Sequence, residues 1–290
     1  MTLTQSAGLP LSATVMVLVA AVAHASWNAI VHAIEDKLVA LILFGAGGAL
    51  MALPLVLLAP VPDRSSWPWL VASVLVHIAY QLLLVASYRL GDFSQTYPLA
   101  RGSAPLLVTV LAAVFVGELP LPLELAGVVV VSAGLASLVL VGGLPGRHEL
   151  PAVVAALATG GTIATYTLLD GTGVRTSGSV AGYTGWLVLL NSVITLTYVY
   201  VAGRRRSGLL GQLRRHAGLG LLGGALSLAA YGLVLWAQTR GPLAPISALR
   251  ETSIVAGAII GAVVFKEGFG RRRIFATAIV FAGVLMINFA

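Results

Sequence analysis

The sequence has no cysteine and very little charge. With no cysteine among the 290 residues, disulfides, thiolate metal sites and a cysteine nucleophile are excluded. Only 9% of the residues are charged, whereas soluble domains carry about 25%. No H-E-x-x-H, G-x-S-x-G or paired acidic metal motif is present. We therefore expect no enzyme activity, no cofactor and no metal.

What is present is apolar, since 58% of the residues are hydrophobic. A spanning helix needs about 20 apolar residues, so the chain has room for about ten spans and none for a soluble catalytic head. The sequence predicts an all-α integral membrane protein. Its apolar runs lie at 12–31, 38–60, 68–88, 93–117, 121–142, 150–169, 180–201, 217–238, 243–265 and 273–289.

Basic residues divide unevenly between the loops. Cytoplasmic loops carry an excess of Lys and Arg, and successive loops alternate sides. The odd-numbered loops hold Lys37, Arg89, Arg147, Arg204, Arg205, Arg206, Arg214, Arg215, Lys266, Arg271, Arg272 and Arg273. The even-numbered loops hold Arg64, Arg175 and Arg240. We expect a multi-pass protein of the cytoplasmic (inner) membrane with both termini outside the cytoplasm, and no nucleic-acid partner.

The two halves of the chain are alike. Residues 79–89 read AYQLLLVASYR and residues 230–240 read AYGLVLWAQTR, with six identities in eleven. A similar offset aligns Arg101 with Arg250 and Glu118 with Glu267. This similarity predicts a duplication.

The predicted repeats cover residues 1–145 and 146–290, with five helices in each. Because five is odd, the second repeat enters the membrane upside down relative to the first. Inverted repeats of this kind build carriers that alternate access around one midplane site.

Two matching segments mark the fourth and ninth spans. The first is Tyr97-Pro98-Leu99-Ala100-Arg101-Gly102, whose helix ends at Gly117-Glu118, and the second is Ser247-Ala248-Leu249-Arg250-Glu251-Thr252, whose helix ends at Lys266-Glu267. In these residues and in its layout the chain resembles the drug/metabolite transporter superfamily, in particular its EamA-type ten-helix members. The resemblance implies a central cavity lined by the first, third and fourth helices and their counterparts. It also implies a monomer or a homodimer.

Arg101 and Arg250 lie inside predicted spans. Arg101 is about eight residues into its span, or roughly 12 Å along a helix, near the middle of a hydrocarbon core about 30 Å thick. A charge there costs at least about 2.5 kcal/mol unless it meets a partner or water. Two interpretations remain open, namely a structural ion pair with Glu251 and a clamp for an anionic substrate. Glu251 is also the candidate for proton coupling.

Other polar and aromatic side chains complete the predicted site, and His24 and Asn28 share one helix face. The predicted cavity residues are His24, Trp27, Asn28, His77, Tyr80, Gln81, Tyr97, Arg101, Tyr166, Tyr231, Arg250 and Glu251. Helix packing is the alternative for the aromatic residues, and a buried hydrogen bond is the alternative for the histidines. Asp170 and Glu118 are expected to be solvated helix ends.

A proline and two glycine motifs bear on helix shape. Pro105 frees the carbonyl of Arg101 and predicts a kink. The pair Gly220 and Gly224, and likewise Gly257 and Gly261, predict close helix packing.

These features predict a carrier that moves a small metabolite by alternating access, with the lipid bilayer as its surroundings. The candidate substrates are an amino acid, a nucleoside, an organic anion or a drug-like molecule. Export is the expected direction, with proton coupling as an option. The alternatives are a flippase for a lipid-linked substrate and a non-transporting membrane scaffold.

Overall fold

The computed structural model describes residues 4–5, 8–91, 93–139, 147–203, 209–264, 266 and 271–290. These residues form eleven α-helices and two short strands. The helices are α1 (Leu11–Ala33), α2 (Lys37–Leu58), α3 (Trp67–Leu90), α4 (Phe93–Leu111), α5 (Pro122–Val139), α6 (Leu150–Arg175), α7 (Val180–Gly203), α8 (Leu209–Gln238), α9 (Leu243–Arg250), α10 (Ser253–Val264) and α11 (Arg271–Asn288). Strands β1 (Thr4–Gln5) and β2 (Glu118–Leu119) pair in parallel.

Eight helical segments of the described chain are long and apolar enough to cross a membrane. One of them, Leu243–Val264, combines α9 and α10, and two shorter apolar helices, Pro122–Leu138 and Ile274–Asn288, accompany the eight. The all-α membrane fold predicted from the sequence is therefore confirmed. The predicted loop residues Arg204, Arg205 and Arg206, and the repeat-related Glu267, lie outside the described residues.

Charged side chains fix the first helix boundary. The carboxylate of Asp36 accepts the backbone N–H of Leu38 at 2.9 Å and so caps the start of α2. The ammonium of Lys37 donates to the carbonyls of His32 at 3.0 Å and Ile34 at 2.9 Å, which satisfies the free carbonyls at the end of α1. The chain therefore reverses direction between α1 and α2 in three residues.

Helices from the two predicted repeats pack against each other. Helix α1 packs along α8, and α3, the counterpart of α8, packs along α6, the counterpart of α1. The counterparts α2 and α7 pack on each other, as do α5 and α11. Each half thus buries its apolar surface largely against the other half.

Glycine allows α2 and α8 to touch through their backbones. A Cβ on Gly224 would meet the backbone of Gly47, and a Cβ on Gly47 would meet the carbonyl of Gly220. The close packing predicted for Gly220 and Gly224 is confirmed. The same prediction for Gly257 is wrong, because a Cβ there would meet no described atom within 4 Å.

The two ends of the bundle differ. The Arg175 end, where α1 and α9 begin and α6 and α8 finish, is joined by hydrogen bonds such as that from the Asp63 N–H to the Ser177 carbonyl at 2.9 Å. At the opposite Lys37 end, where α2 and α8 begin, a pocket of about 860 Å³ opens. Its lining residues are Ala33, Ile34, Glu35, Asp36, Lys37, Gln212, Arg215 and His216.

Candidate functional site

The predicted ninth span is broken at Glu251. The sequence predicted one helix over 243–265, but α9 ends at Arg250 and α10 begins at Ser253. Across the break the backbone N–H groups of Glu251 and Thr252 bond three residues back, to the carbonyls of Ala248 at 3.1 Å and Leu249 at 3.0 Å. Such tight turns inside a helix often mark a hinge. The break places a carboxylate between two half-helices.

Span four is helical on both sides of Pro105, the proline at which the sequence predicts a kink. Helix α4 runs through Pro105 to Leu111 and ends in a π-helical turn, Ala112–Val116. The hydroxyl of Thr109 donates to the Pro105 carbonyl at 2.9 Å. Irregular backbone on α4 therefore lies after the proline, at the Arg175 end.

Arg101, Glu251 and Arg250 form a buried charge cluster, which we call the arginine centre. Arg101 Nε lies 2.7 Å from Glu251 Oε2, and Arg250 Nε lies 3.8 Å from Glu251 Oε1. Arg101 Nη2 also donates to the hydroxyl of Ser253 at 3.2 Å. Arg101 is 4% exposed, Arg250 6% and Glu251 0%. The ion pair of Arg101 with Glu251 joins the two halves of the protein.

Arg250 has hydrogen-bond donors that are not used by the described residues. Among the residues that the structure describes, its buried Nε and Nη2 have no hydrogen-bond acceptor. Two guanidinium groups against one carboxylate leave the arginine centre with a net charge of about +1, because arginine stays protonated in proteins. A group of this kind can accept one further negative charge.

Aromatic rings lie against the arginine centre. The Arg250 guanidinium lies 5.9 Å from the ring centre of Tyr166, and that of Arg101 lies 5.9 Å from the ring centre of Tyr97. The His77 ring stacks on Tyr166 at 4.1 Å with an interplanar angle of 23°, and Tyr80 meets Tyr166 edge-on at 5.8 Å. Rings from α3 and α6 thus form one wall beside the two arginines.

Asp170 is a second buried carboxyl group. The sequence predicted that Asp170 ends a helix in solvent, and this prediction is wrong, because Asp170 is 0% exposed. The hydroxyl of Tyr183 donates to Oδ1 at 3.1 Å, and the hydroxyl of Tyr231 donates to Oδ2. The Ser73 hydroxyl also lies within hydrogen-bonding reach. Helix α6 continues to Arg175, six residues beyond the predicted end of the span, so Asp170 lies inside it.

The predicted cavity residues of span one lie partly against helix α2 and partly near the arginine centre. His24 meets the Trp27 ring edge-on at 5.0 Å, and it lies within electrostatic range of Arg101 and Arg250. Trp27 stacks on Phe44 of α2 at 4.7 Å. The amide of Asn28 donates to the His24 carbonyl at 2.8 Å. All three predicted residues of span one are partly buried, and His24 lies nearest to the arginine centre.

Gln81 lies apart from this group. Its side chain is exposed on α3, and no described residue bonds to it. Tyr231, in contrast, meets His77 edge-on at 6.0 Å and so joins the aromatic wall to Asp170. No group of three or more His, Asp or Glu side chains in the described ranges could hold a metal ion.

Arg175 closes its end of the bundle. It pairs with Glu118 at 2.5 Å and donates to the carbonyls of Gln238 and Gly241, each at 2.7 Å. Glu118 also accepts the backbone N–H of Leu243 at 3.1 Å. The expectation that Glu118 is simply solvated is therefore wrong. These contacts, which we call the Arg175 clasp, tie the end of α4 to α6, α8 and α9.

Comparison with known proteins shows the fold and a family similarity in the second half of the chain. One solved crystal structure superposes with a TM-score of 0.72 at 17% sequence identity, over 96% of this chain and 98% of its own. At that identity the likeness shows the fold alone. No curated protein sequence matches the chain. Residues 150–289, which contain α6 to α11, match the EamA-like transporter family. This part of the chain is therefore similar to the EamA-like transporters, a family within the drug/metabolite transporter superfamily.

Proposed function

We propose that this membrane transporter moves a small organic anion across the bilayer by alternating access, with the arginine centre as its binding site. The transport cycle makes and breaks no covalent bond. The observation that carries the proposal is Arg250, whose buried Nε and Nη2 have no acceptor among the described residues. A buried donor without an acceptor costs about 1 to 3 kcal/mol, and more when it is charged. A bound carboxylate or phosphate removes that cost.

The charge of the arginine centre supports the same class of substrate. Arg101 is already paired with Glu251, whereas Arg250 lies 3.8 Å from the same carboxylate, beyond hydrogen-bonding distance. An incoming carboxylate can therefore bind Arg250 without displacing Glu251 from Arg101. Charge-assisted hydrogen bonds then offset the desolvation of the anion.

The aromatic wall supports a substrate with an apolar or flat part. Tyr166 lies under Arg250, with His77 stacked on its ring. A molecule whose anionic group reaches Arg250 would lay its carbon skeleton along these rings. A small amphipathic organic acid meets both requirements.

The break between α9 and α10 supports a moving gate. The hinge at Glu251 and Thr252 lies at the binding site itself. Binding or release of the anion can therefore reorient α10. The Arg175 clasp holds one end of the bundle closed, while the pocket at the Lys37 end is open. Alternating access requires the clasp to part when the substrate leaves by that end.

The orientation of the protein is part of the proposal. The uneven distribution of basic residues favours a cytoplasmic Lys37 end and places both termini outside. An anion more concentrated in the cytoplasm would then be exported. An alkaline phosphatase fused to the C-terminus should be active and a fluorescent protein at the same position dark, and the reverse pattern would contradict this orientation.

The transport proposal is tested with matched substrate pairs. Purified protein in liposomes is given radiolabelled succinate or succinamide, L-glutamate or L-glutamine, and glucose 6-phosphate or glucose. We expect uptake of at least one anion and little uptake of its uncharged partner. The matched control is Arg240→Gln, which removes an exposed arginine that stacks on Trp236 at 5.2 Å. Equal uptake of both members of every pair, or no uptake at all, would contradict the proposal.

A further inference from the structure

Among the residues that the structure describes, Asp170 has polar neighbours and the titratable His77 within electrostatic range, but no arginine or lysine partner. Its carboxyl group receives hydrogen bonds from Tyr183 on α7 and Tyr231 on α8, with Ser73 of α3 within reach. In the part of the chain that the structure describes, no lysine or arginine forms an ion pair with it. A buried carboxylate without a cation is costly, and such a group lowers the cost by taking up a proton.

Hydroxyl neighbours suit a carboxyl group that changes its protonation state. A hydroxyl both donates and accepts, so Tyr183, Tyr231 or Ser73 can turn to accept a hydrogen bond once Asp170 carries a proton. A guanidinium only donates. Protonating Glu251 would therefore leave Arg101 and Arg250 without their counter-charge, whereas protonating Asp170 leaves no charge unpaired.

A path for the proton leads from His77. Its Nδ1 lies 2.9 Å from the Ser73 carbonyl and 3.3 Å from the Ser73 hydroxyl. Because a carbonyl oxygen only accepts, the hydrogen is assigned to Nδ1, which leaves Nε2 able to take up a proton. The Ser73 hydroxyl can pass its hydrogen to Asp170 as it receives another from Nδ1. His77 is partly exposed whereas Ser73 and Asp170 are buried, so His77 is the more accessible end of this path.

We propose that Asp170 is the proton-binding site of this carrier, with His77 and Ser73 as its proton path, a role that rests on the proposed transport function. The carboxylate accepts one proton from one aqueous side and releases it to the other. No electron moves and no other bond changes. The sequence alone had favoured Glu251 for this role.

The helices that pack against α6 carry His77 and Tyr80 on α3, Arg101 on α4, Tyr183 on α7, Tyr231 on α8 and Arg250 on α9. Of these groups, His77, Tyr183 and Tyr231 act directly on Asp170. On α6 itself Tyr166 lies one turn before Asp170, and Arg175 is held in the Arg175 clasp. Asp170 is thus the single carboxyl group in this set.

Tyr166 connects the proton site to the arginine centre. Its ring stacks on His77 at 4.1 Å and faces Arg250 at 5.9 Å. A proton that reaches Asp170 removes a negative charge beside His77, which favours an anion at Arg250. The proton and a monoanionic substrate therefore favour each other's binding, and the loaded site carries no additional net charge. An anion that leaves the cytoplasm down its own gradient would take a proton with it.

Infrared spectroscopy on the full-length protein in lipid tests the proton site without any substrate. Spectra at about pH 5 and about pH 8 are subtracted, because an unperturbed carboxyl group titrates below this range. We expect a band from a protonated carboxylic acid that is present at the lower pH and lost in Asp170→Asn. Tyr231→Phe removes one donor to the carboxylate and should shift the midpoint of that band to higher pH, while the protein stays folded.

The matched control is Glu124→Gln. Glu124 is a fully buried carboxyl group that accepts the backbone N–H groups of Leu9 at 3.1 Å and Leu121 at 2.9 Å, away from both sites. The Asp170 band should persist in this variant. A band that Asp170→Asn leaves in place, or one that Glu251→Gln removes instead, would overturn the proposal.

A second measurement separates the coupling to protons from the transport of the anion. In proteoliposomes a gradient of about one pH unit equals about a tenfold concentration ratio for each proton carried. Wild-type protein should accumulate radiolabelled succinate against its gradient, and Asp170→Asn should lose accumulation while it still exchanges internal for external succinate. Accumulation by Asp170→Asn equal to that of wild type would overturn the proton site. No succinate movement by wild type would count against the proposed function, and the infrared band would still decide for or against Asp170.

Discussion

Glu251 and Asp170 are both fully buried carboxyl groups, yet their neighbours differ in kind. Glu251 lies between two guanidinium groups at the break in span nine, and Asp170 lies among hydroxyl groups inside a continuous helix. The first arrangement fixes a negative charge, because each cation needs it. The second tolerates both the charged and the neutral form. The difference teaches that the kind of neighbour, and not burial alone, decides what a carboxyl group in a membrane can do.

The same comparison predicts how each group responds to mutation. Removing one half of a buried ion pair leaves an unpaired charge, which costs about 3 to 5 kcal/mol. Removing one neutral hydrogen bond costs about 1 kcal/mol. Single substitutions in the arginine centre should therefore lower the free energy of unfolding much more than single substitutions around Asp170.

The largest effect is expected for Arg101→Ala. This change removes the close partner of Glu251 and leaves it only Arg250 at 3.8 Å, and it should lower the free energy of unfolding by about 3 to 5 kcal/mol and abolish transport. The double variant Arg101→Ala with Glu251→Gln removes both charges and should recover much of the stability but not the transport. Thermal unfolding and liposome uptake are measured on both single variants and on the double variant. These values give the interaction energy between Arg101 and Glu251 directly.

Arg240→Ala serves as the control for that series, because Arg240 is exposed and should change stability by less than about 1 kcal/mol. A stable Arg101→Ala protein with full transport would contradict both the structural and the binding role of the arginine centre.

An intermediate effect is expected for Arg175→Ala. This residue combines one ion pair with two carbonyl contacts but lies at the edge of the bundle, where its side chain is 26% exposed. Solvent screening lowers the expected loss of stability to about 1 to 2 kcal/mol. The control is Arg64→Ala, an exposed arginine at the same end. Unfolding midpoints that match for the two variants would show that the Arg175 clasp does not hold this end closed.

A smaller effect is expected for Tyr183→Phe. The ring keeps its packing beside Leu70 and Leu187, and Asp170 loses one of its hydroxyl donors. The free energy of unfolding should fall by about 1 kcal/mol, several-fold less than for Arg101→Ala. A loss as large as that of Arg101→Ala would show that Asp170 carries a fixed charge, and the contrast between the two carboxyl groups would fail.

The smallest perturbation tests which face of α1 meets water. Cysteine at His24 or Asn28 should react with a membrane-impermeant thiol reagent, because both positions are partly exposed. No native cysteine competes for the reagent. Cysteine at Ala21, which is 1% exposed, is the matched control and should stay unlabelled. Labelling of the control alone, or of none of the three, would assign this face of α1 to packing.

Part of this architecture was predictable from the sequence. The ion pair between Arg101 and Glu251 is one of two interpretations that the sequence left open, because the predicted repeat places two arginines at matching depths with one carboxylate beside them. The membrane fold follows from apolar runs of spanning length. In both cases the signal lies in residues whose type is rare inside a membrane, or in a long periodic run.

The rest depended on contacts between distant helices. The break at Glu251 was missed because residues 243–265 are apolar on both sides of it, and hydropathy does not register a turn. Asp170 was missed because the predicted span ended at residue 169, so the carboxylate was read as a solvated end. Its partners Ser73 and Tyr183 come from other helices and follow no periodic pattern.

The most direct test of the arginine centre is the shift in unfolding temperature that an anion causes. Purified wild type, Arg250→Gln and Asp170→Asn are each melted with saturating succinate and, separately, with succinamide. A ligand at about 100 times its dissociation constant stabilises the folded state by about 2.7 kcal/mol. Succinate should raise the unfolding midpoint of wild type and of Asp170→Asn but not that of Arg250→Gln, and succinamide should raise none of the three. An equal shift with succinamide, or a full succinate shift in Arg250→Gln, would contradict the claim that the arginine centre binds the anion.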